Sequence, residues 1–447
     1  MLKEDSTPEL QRHAPTISLY PILAVNFIGT LGYSIILPFL VFLVTRLGGN
    51  ALVYGIMGAT YPAFQLIGAP ILGRWSDIYG RRKVLLLSQI GTLISWVIFL
   101  LALFLPVSSL LDIDSTVFGK FTLTLPITVL FIARALDGIT GGNVSVANAY
   151  LADITEEEQR NENFGKMAIS ANLGFILGPA LAGVLGATVL GEILPVLAAL
   201  IISLGATVLI AFKLPESKPC ILKRDPETVN VRKVFGQEHK ECFDIKCDDK
   251  LSTNDILRIK NIPQIMILYF LIFLAFNLFY TAFPIYAVKS LDWSITDTGM
   301  FFSILSLMMV IVQGPILSQA AKKYTDGLLV VVGSLILGTN FLFLTSKSLL
   351  MIYLAALLFA LGNGLMWPSV LSILSKAAGE KNQGSVQGFA SSFGSVASII
   401  GLIMGGIFYG IFDAGIFLVP AGIIYIVSFM SVGFVYLRKS SSEIQSP

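Results

Sequence analysis

The chain has 447 residues, of which 55% are hydrophobic and only 13% charged, with mean hydropathy +0.80 and a formal net charge of +2. A soluble domain of this size needs a far more polar surface, so soluble fold classes are excluded. The cations are dispersed among loops rather than gathered on one face, which argues against nucleic acid as a partner.

A helix needs about 20 apolar residues to cross a bilayer. Twelve such spans follow in order: 18–45, 51–73, 84–105, 127–151, 163–187, 192–213, 264–289, 296–318, 327–345, 349–375, 386–411 and 414–437. The first is longer than a signal-peptide core and no small-residue cleavage site follows it, so it reads as retained. Between spans 2 and 3 lies "GRWSDIYGRRK", residues 73–83, with four cations and one carboxylate. A long outer loop covers 106–126, and the one long hydrophilic stretch, 214–262, separates spans 6 and 7. Within it, "STNDILRIK" has the pattern of a short capped helix. The expectation is an all-α polytopic membrane protein: a six-helix bundle over 1–213, a central loop over 214–262 and a second six-helix bundle over 263–447. Cys220, Cys242 and Cys247 all fall in that loop, without ligand spacing for a metal, and no metal site is expected.

The distribution of Lys and Arg sets the topology. With both termini and the central loop on one side, that side collects 25 cations, including Arg74, Arg81, Arg82 and Lys83. The other side has Arg46, Lys120, Lys289 and Lys347, and Arg134 lies inside a span. The split of 25 to 4 puts both termini and the three cysteines in the cytoplasm, as in a bacterial inner membrane.

The halves repeat one another. "APILGRWSDIY" (69–79) aligns with "GPILSQAAKKY" (314–324) at an offset of 245, and Pro38 matches Pro284 at 246. Gly165, Gly178 and Gly183 match Gly388, Gly401 and Gly406 at 223. Parallel repeats of six spans are a transporter signature.

Three motifs carry a family resemblance: "GRWSDIYGRRK", with Ile78 where an Arg is usual; "LFIARALDGITGG" (130–142) in span 4; and "GFILGPALAG" (174–183) in span 5. With twelve spans and a central loop, the chain resembles the major facilitator superfamily, and is most similar to its drug:proton antiporter branch, which includes the tetracycline-efflux proteins.

Each motif also has a physical reading. Gly73 and Gly80 permit a tight reversal, and Arg81, Arg82 and Lys83 hold it on the cytoplasmic side. The resemblance implies that Asp77 latches the halves against the N-terminus of span 11; a basic turn that only sets topology is the other reading. In span 5, Gly174, Gly178 and Gly183 lie near one face, and Pro179 weakens the helix. Span 11, with Gly401, Gly405, Gly406 and Gly410, or one of its neighbours is the expected partner, either as a rocking hinge or as ordinary small-residue packing. Arg134 and Asp137 are the ionisable residues deep in a span, where a lone charge costs at least ~2.5–3.5 kcal/mol. Their i, i+3 spacing lets them pair, and a carboxylate that can take up a proton when its Arg is drawn away makes a proton-coupling switch. A static ion pair is the alternative. Span 1 carries Asn26 where many relatives hold an acid.

The resemblance places a substrate cavity between spans 1, 4, 7 and 10. Asn26, Thr30, Tyr33, Asn148, Asn277, Tyr280, Thr281, Asn363 and Trp367 line it, with Gln65 and Gln313 from spans 2 and 8. That neutral, aromatic lining suits an amphiphilic organic solute. The expected function is export of a small compound in exchange for protons, with the proton gradient as energy source, no cofactor, no enzymatic activity, and a monomer working within the lipid bilayer. A P-loop is absent from the sequence, which argues against ATP-driven transport. Metabolite uptake or facilitated diffusion, and a non-transporting sensor, are the alternatives.

Overall fold

A computed structural model describes residues 18–36, 38–115, 119–141, 143–155, 160–217 and 253–435, so the three cysteines lie outside the described residues. The chain forms the expected helical bundle of two six-span halves, with several departures that local chemistry explains.

Span 1 is two helices, Tyr20–Ser34 and Leu40–Arg46, with Pro38 in the gap between them. A proline lacks the N–H that would continue the ladder. Its repeat partner Pro284 sits inside the unbroken span 7 helix, Ile262–Ser290. Span 2 runs Ala51–Tyr79, begun by the Asn50 side chain accepting from Val53 N at 3.1 Å. Span 3 is Arg81–Ala102. The reversal between them is therefore Gly80 alone, at φ 97°, a left-handed conformation that an L side chain resists. Gly73, expected in the turn, lies inside the helix.

The outer loop folds as an antiparallel hairpin, β1 Ser109–Ser115 and β2 Gly119–Thr124. It is tied to span 1 by Thr122 N donating to Gly48 O at 3.0 Å and Thr124 Oγ1 donating to Leu47 O at 3.0 Å.

Span 4, read as continuous, is two helices, Leu125–Thr140, which ends at Gly141, and Asn143–Asp153. Glycine gives up the most backbone freedom in a helix, so a Gly pair is where interruption costs least. Spans 5 and 6 are Arg160–Gly186 and Ile193–Lys213. A short helix, Thr253–Arg258, precedes span 7 where "STNDILRIK" predicted one. Span 8 runs from Ile295 to Lys323, widened to a π-turn over Val312–Ile316 that holds Pro315. Span 9 is Asp326–Phe343 and span 12 is Leu418–Val435.

Helical backbone continues from Leu349 to Phe412, a length of 64 residues that would reach about 96 Å if straight. It does not run straight. The Tyr269 ring lies 5.1 Å from Trp367 and also against Gly394, 27 residues further on. At the other end of span 7, Tyr286 Oη donates to Ser346 O at 2.9 Å while its ring meets Phe417 at 5.4 Å. Both ends of the element converge on one helix, so it doubles back, and its two arms are spans 10 and 11.

The glycine faces pair differently from expectation. Gly174 and Gly178 of span 5 pack on span 1, at Thr30, Leu31 and Ser34, and Ser34 Oγ donates to Gly174 O at 2.9 Å. Gly401 and Gly405 of span 11 pack on span 7, at Asn277 and Thr281. The repeat explains this: Gly178 maps onto Gly401, and Leu31 onto Asn277, at the offsets of 223 and 246. Spans 5 and 11 are therefore equivalent helices, and these glycine faces pack within their own halves rather than against each other. Across the halves, Gly183 meets Gly299 of span 8, with Thr296 Oγ1 donating to Gly183 O at 3.1 Å. Gly406 meets Ala51, and Gly55 meets Leu402, joining span 11 to span 2. These crossings all lie at the end of Arg46 and Lys120, the end that the cation count predicts to be outer.

Candidate functional site

The deepest polar group is built on the outer piece of span 4. Arg134 and Asp137 are both buried, and Arg134 Nη1 lies 3.4 Å from Asp137 Oδ2. The Arg134 guanidinium stands 5.0 Å above the centre of the Tyr61 ring on span 2, a geometry in which a ring face attracts a cation. Arg134 Nε has no acceptor among the described residues.

The helix break sits one turn beyond Asp137, and neighbouring spans satisfy its freed carbonyls. Gln65 Nε2 donates to Gly141 O at 2.8 Å and lies 3.3 Å from Tyr61 Oη. Ser88 Oγ donates to Thr140 O. Irregular backbone at membrane depth is tolerated where protein groups replace the missing hydrogen bonds, as they do here. Tyr61 and Ser88 escaped the reading of the sequence. Tyr61 had a signal, since it stands four residues before Gln65 on the same face of span 2.

The expected cavity residues fall into two groups. On the first half, Tyr33 meets Tyr61 at 5.2 Å and Phe175 at 6.2 Å, so it joins the Arg134 cluster. Thr30 Oγ1 donates to Asn26 O, and Asn26 Nδ2 donates to Met167 O and Ser170 Oγ, each at 2.8 Å. Asn26 thus ties span 1 to span 5. Asn148 is exposed on the inner piece of span 4, apart from the cluster. On the second half, Tyr269, Phe273 and Trp367 form a three-ring group with centroids 4.8–5.3 Å apart. Tyr280 stacks on Phe302 at 6.4 Å. Asn277 Nδ2 donates to Ser398 Oγ at 2.9 Å, and Asn363 Nδ2 lies 3.8 Å from Met309 Sδ. Thr281 is buried against Gly405, and Gln313 sits in the π-turn of span 8. Phe273 and Tyr269 were not anticipated, although they stand four and eight residues before Asn277 on one face of span 7.

At the inner end, Arg81 and Arg82 serve their own half. Arg81 Nε pairs with Asp153 Oδ2 at 3.0 Å, and Arg81 Nη1 donates to Ser76 Oγ at 2.6 Å. Arg82 Nη2 donates to Ala211 O of span 6. Glu216, just past span 6, accepts from the backbone N of Arg81 at 2.7 Å and of Arg82 at 3.2 Å. It caps the first turn of span 3, where unpaired N–H groups favour an anion. Ser217 Oγ donates to Asp153 at 3.1 Å, completing the cluster. The Asp77 and Ile78 side chains lie outside the described residues.

A family model described as Major Facilitator Superfamily matches residues 22–401 and again 265–447, which spans most of the chain. The chain belongs to the Major Facilitator Superfamily. It is a membrane transporter of that family, not an enzyme. The tetracycline resistance protein, class E, of Escherichia coli is 29% identical over 385 residues, covering 85% of this chain and 84% of that protein. Multidrug resistance protein 2 of Bacillus subtilis is 26% identical over 400 residues, covering 88% and 89%. Among solved structures, the human organic anion transporter MFSD10 (TETRAN) superposes with a TM-score of 0.62 at 22% identity, covering 92% of this chain and 98% of that one. The last likeness speaks for the superfamily fold of two six-span halves.

Proposed function

We infer that the protein exports a small amphiphilic organic compound in exchange for protons, by alternating access between its two halves. The buried Arg134–Asp137 pair beneath the break of span 4 carries this reading. Protonation of Asp137 removes the counter-charge of Arg134, and a lone cation at this depth is costly. Arg134 is then left to the Tyr61 ring alone, and the proton and the solute occupy the site in alternation, as exchange requires. The resistance proteins among the relatives support efflux over uptake.

The aromatic groups of the two halves, Tyr33 and Tyr61 beside the pair and Tyr280, Phe273 and Trp367 on the second half, would receive the apolar body of the solute. Both termini face the cytoplasm of a bacterial inner membrane in this reading, with the transporter working as a monomer. The crossings between halves at the outer end then describe an inward-facing state. The decisive experiment is a substrate screen in proteoliposomes with an imposed pH gradient, run on the native protein and on Asp137→Asn. Loss of gradient-driven transport with retained substrate binding is expected. Undiminished gradient-driven transport by Asp137→Asn would end the coupling role.

A further inference from the structure

The two inner ends carry the same ion pair with its polarity reversed. On the first half, Arg81 at the start of span 3 pairs with Asp153 at the end of span 4, at 3.0 Å. On the second half, Asp326 at the start of span 9 pairs with Lys376 near the inner end of span 10, at 2.5 Å. Ser372 Oγ also donates to Asp326 Oδ2 at 2.8 Å. The repeat offsets relate the four residues one to one: Arg81 + 245 is Asp326, and Asp153 + 223 is Lys376. Each position keeps its role in the staple and exchanges its sign.

The consequence follows from which helices meet across the halves. Span 2 faces span 11 and span 5 faces span 8, as the crossings Gly55–Leu402 and Gly183–Gly299 fix at the outer end. Arg81 follows span 2, and Lys376 precedes span 11. Asp153 precedes span 5, and Asp326 follows span 8. Closing the inner ends therefore brings cation toward cation on one flank and anion toward anion on the other. Had both halves the same polarity, each turn would meet an opposite charge and the pairs would exchange partners between halves.

We propose that Asp326 and Lys376 are positioning residues that staple the span 8–9 turn to span 10, and that their reversed polarity keeps the staples of the two halves from exchanging. The inner ends then part readily, which favours the inward-facing arrangement described above. This rests on the halves rocking as the proposed function requires. Its test reads distance rather than transport, so failure of the export reading is scored separately.

The test uses spin labels at Ile169 on span 5 and Ile316 on span 8, both exposed, in the full chain reconstituted in liposomes. The double variant Asp326→Lys/Lys376→Asp restores equal polarity. It should raise the inner-closed population about two- to fivefold, the range an exposed ion pair supplies. Reversing the first half instead, with Arg81→Asp/Asp153→Lys, should raise it likewise. Lys376→Gln removes a cation without supplying an acid for Arg81, and should produce a smaller gain than either reversal. Unchanged distances in both reversals, or a gain in Lys376→Gln equal to theirs, would overturn the proposal.

Discussion

The side-chain amide of Gln65 on span 2 holds the carbonyl of Gly141, the residue at which span 4 stops being a helix, at 2.8 Å. The same nitrogen lies 3.3 Å from the Tyr61 hydroxyl, whose ring supports Arg134. One side chain therefore connects a backbone interruption to the single deep ion pair among the described residues.

Gln65→Leu keeps the volume near native and leaves the Gly141 carbonyl without its donor. A buried acceptor left unpaired costs about 1–3 kcal/mol. The expected outcome is a lower melting temperature in detergent and slower export, with Gln65→Glu failing to rescue because its carboxylate cannot donate to the carbonyl. Thermal unfolding followed by intrinsic fluorescence, alongside a transport assay, checks both.

Asp137→Asn leaves the shape of the site and removes the proton acceptor. Transport by this variant should lose its dependence on an imposed pH gradient, while downhill exchange of substrate for substrate persists. Arg134→Met in the Asp137→Asn background should be milder than Arg134→Met alone, since the single change leaves a buried carboxylate without its cation, at about 3–5 kcal/mol. Parallel flux measurements in liposomes distinguish these outcomes.

Gly178→Val tests the packing between spans 5 and 1. A Cβ at this position would overlap the Ser34 hydroxyl and press on the backbone of Ile35. Overpacking of this kind costs about 1–3 kcal/mol. Gly410, whose Cβ would meet open space, provides the contrast, and Gly410→Ala should be neutral in expression and stability.

Gly80→Val tests the one-residue reversal. At φ 97° a β-branched residue is strained, and its Cβ would also meet the Glu216 carboxylate at 2.6 Å. A loss of at least about 1–2 kcal/mol from the left-handed backbone is expected. Glu216→Gln should cost less, about 0.5–2 kcal/mol, because a cap is weakened but the turn survives. Chemical denaturation of the two variants side by side ranks them.

Hydropathy made the spans and the two halves legible, because the bilayer imposes a length rule that acts residue by residue. The pairing of Arg134 with Asp137 was legible for the same reason, being set by spacing along one helix. The breaks in spans 1 and 4 were harder to read. Pro38 and the Gly141–Gly142 pair permit an interruption, but whether one occurs depends on donors such as Gln65 and Ser88 from other spans. The partner of Gly174 and Gly178 was misread because small residues announce a close approach without naming what approaches. Glu216 was invisible in sequence, since its role depends on the chain after span 6 returning to the start of span 3.

The β1–β2 hairpin belongs to the first half alone, and its hydrogen bonds run to Leu47 and Gly48 of that half. It therefore moves as a lever fixed to one half. The Lys120 side chain on this lever is 82% exposed, so a dye attached there would sweep with each cycle of the first half. The lopsided loop that breaks the repeat thus doubles as a natural pointer for timing single turnovers by fluorescence.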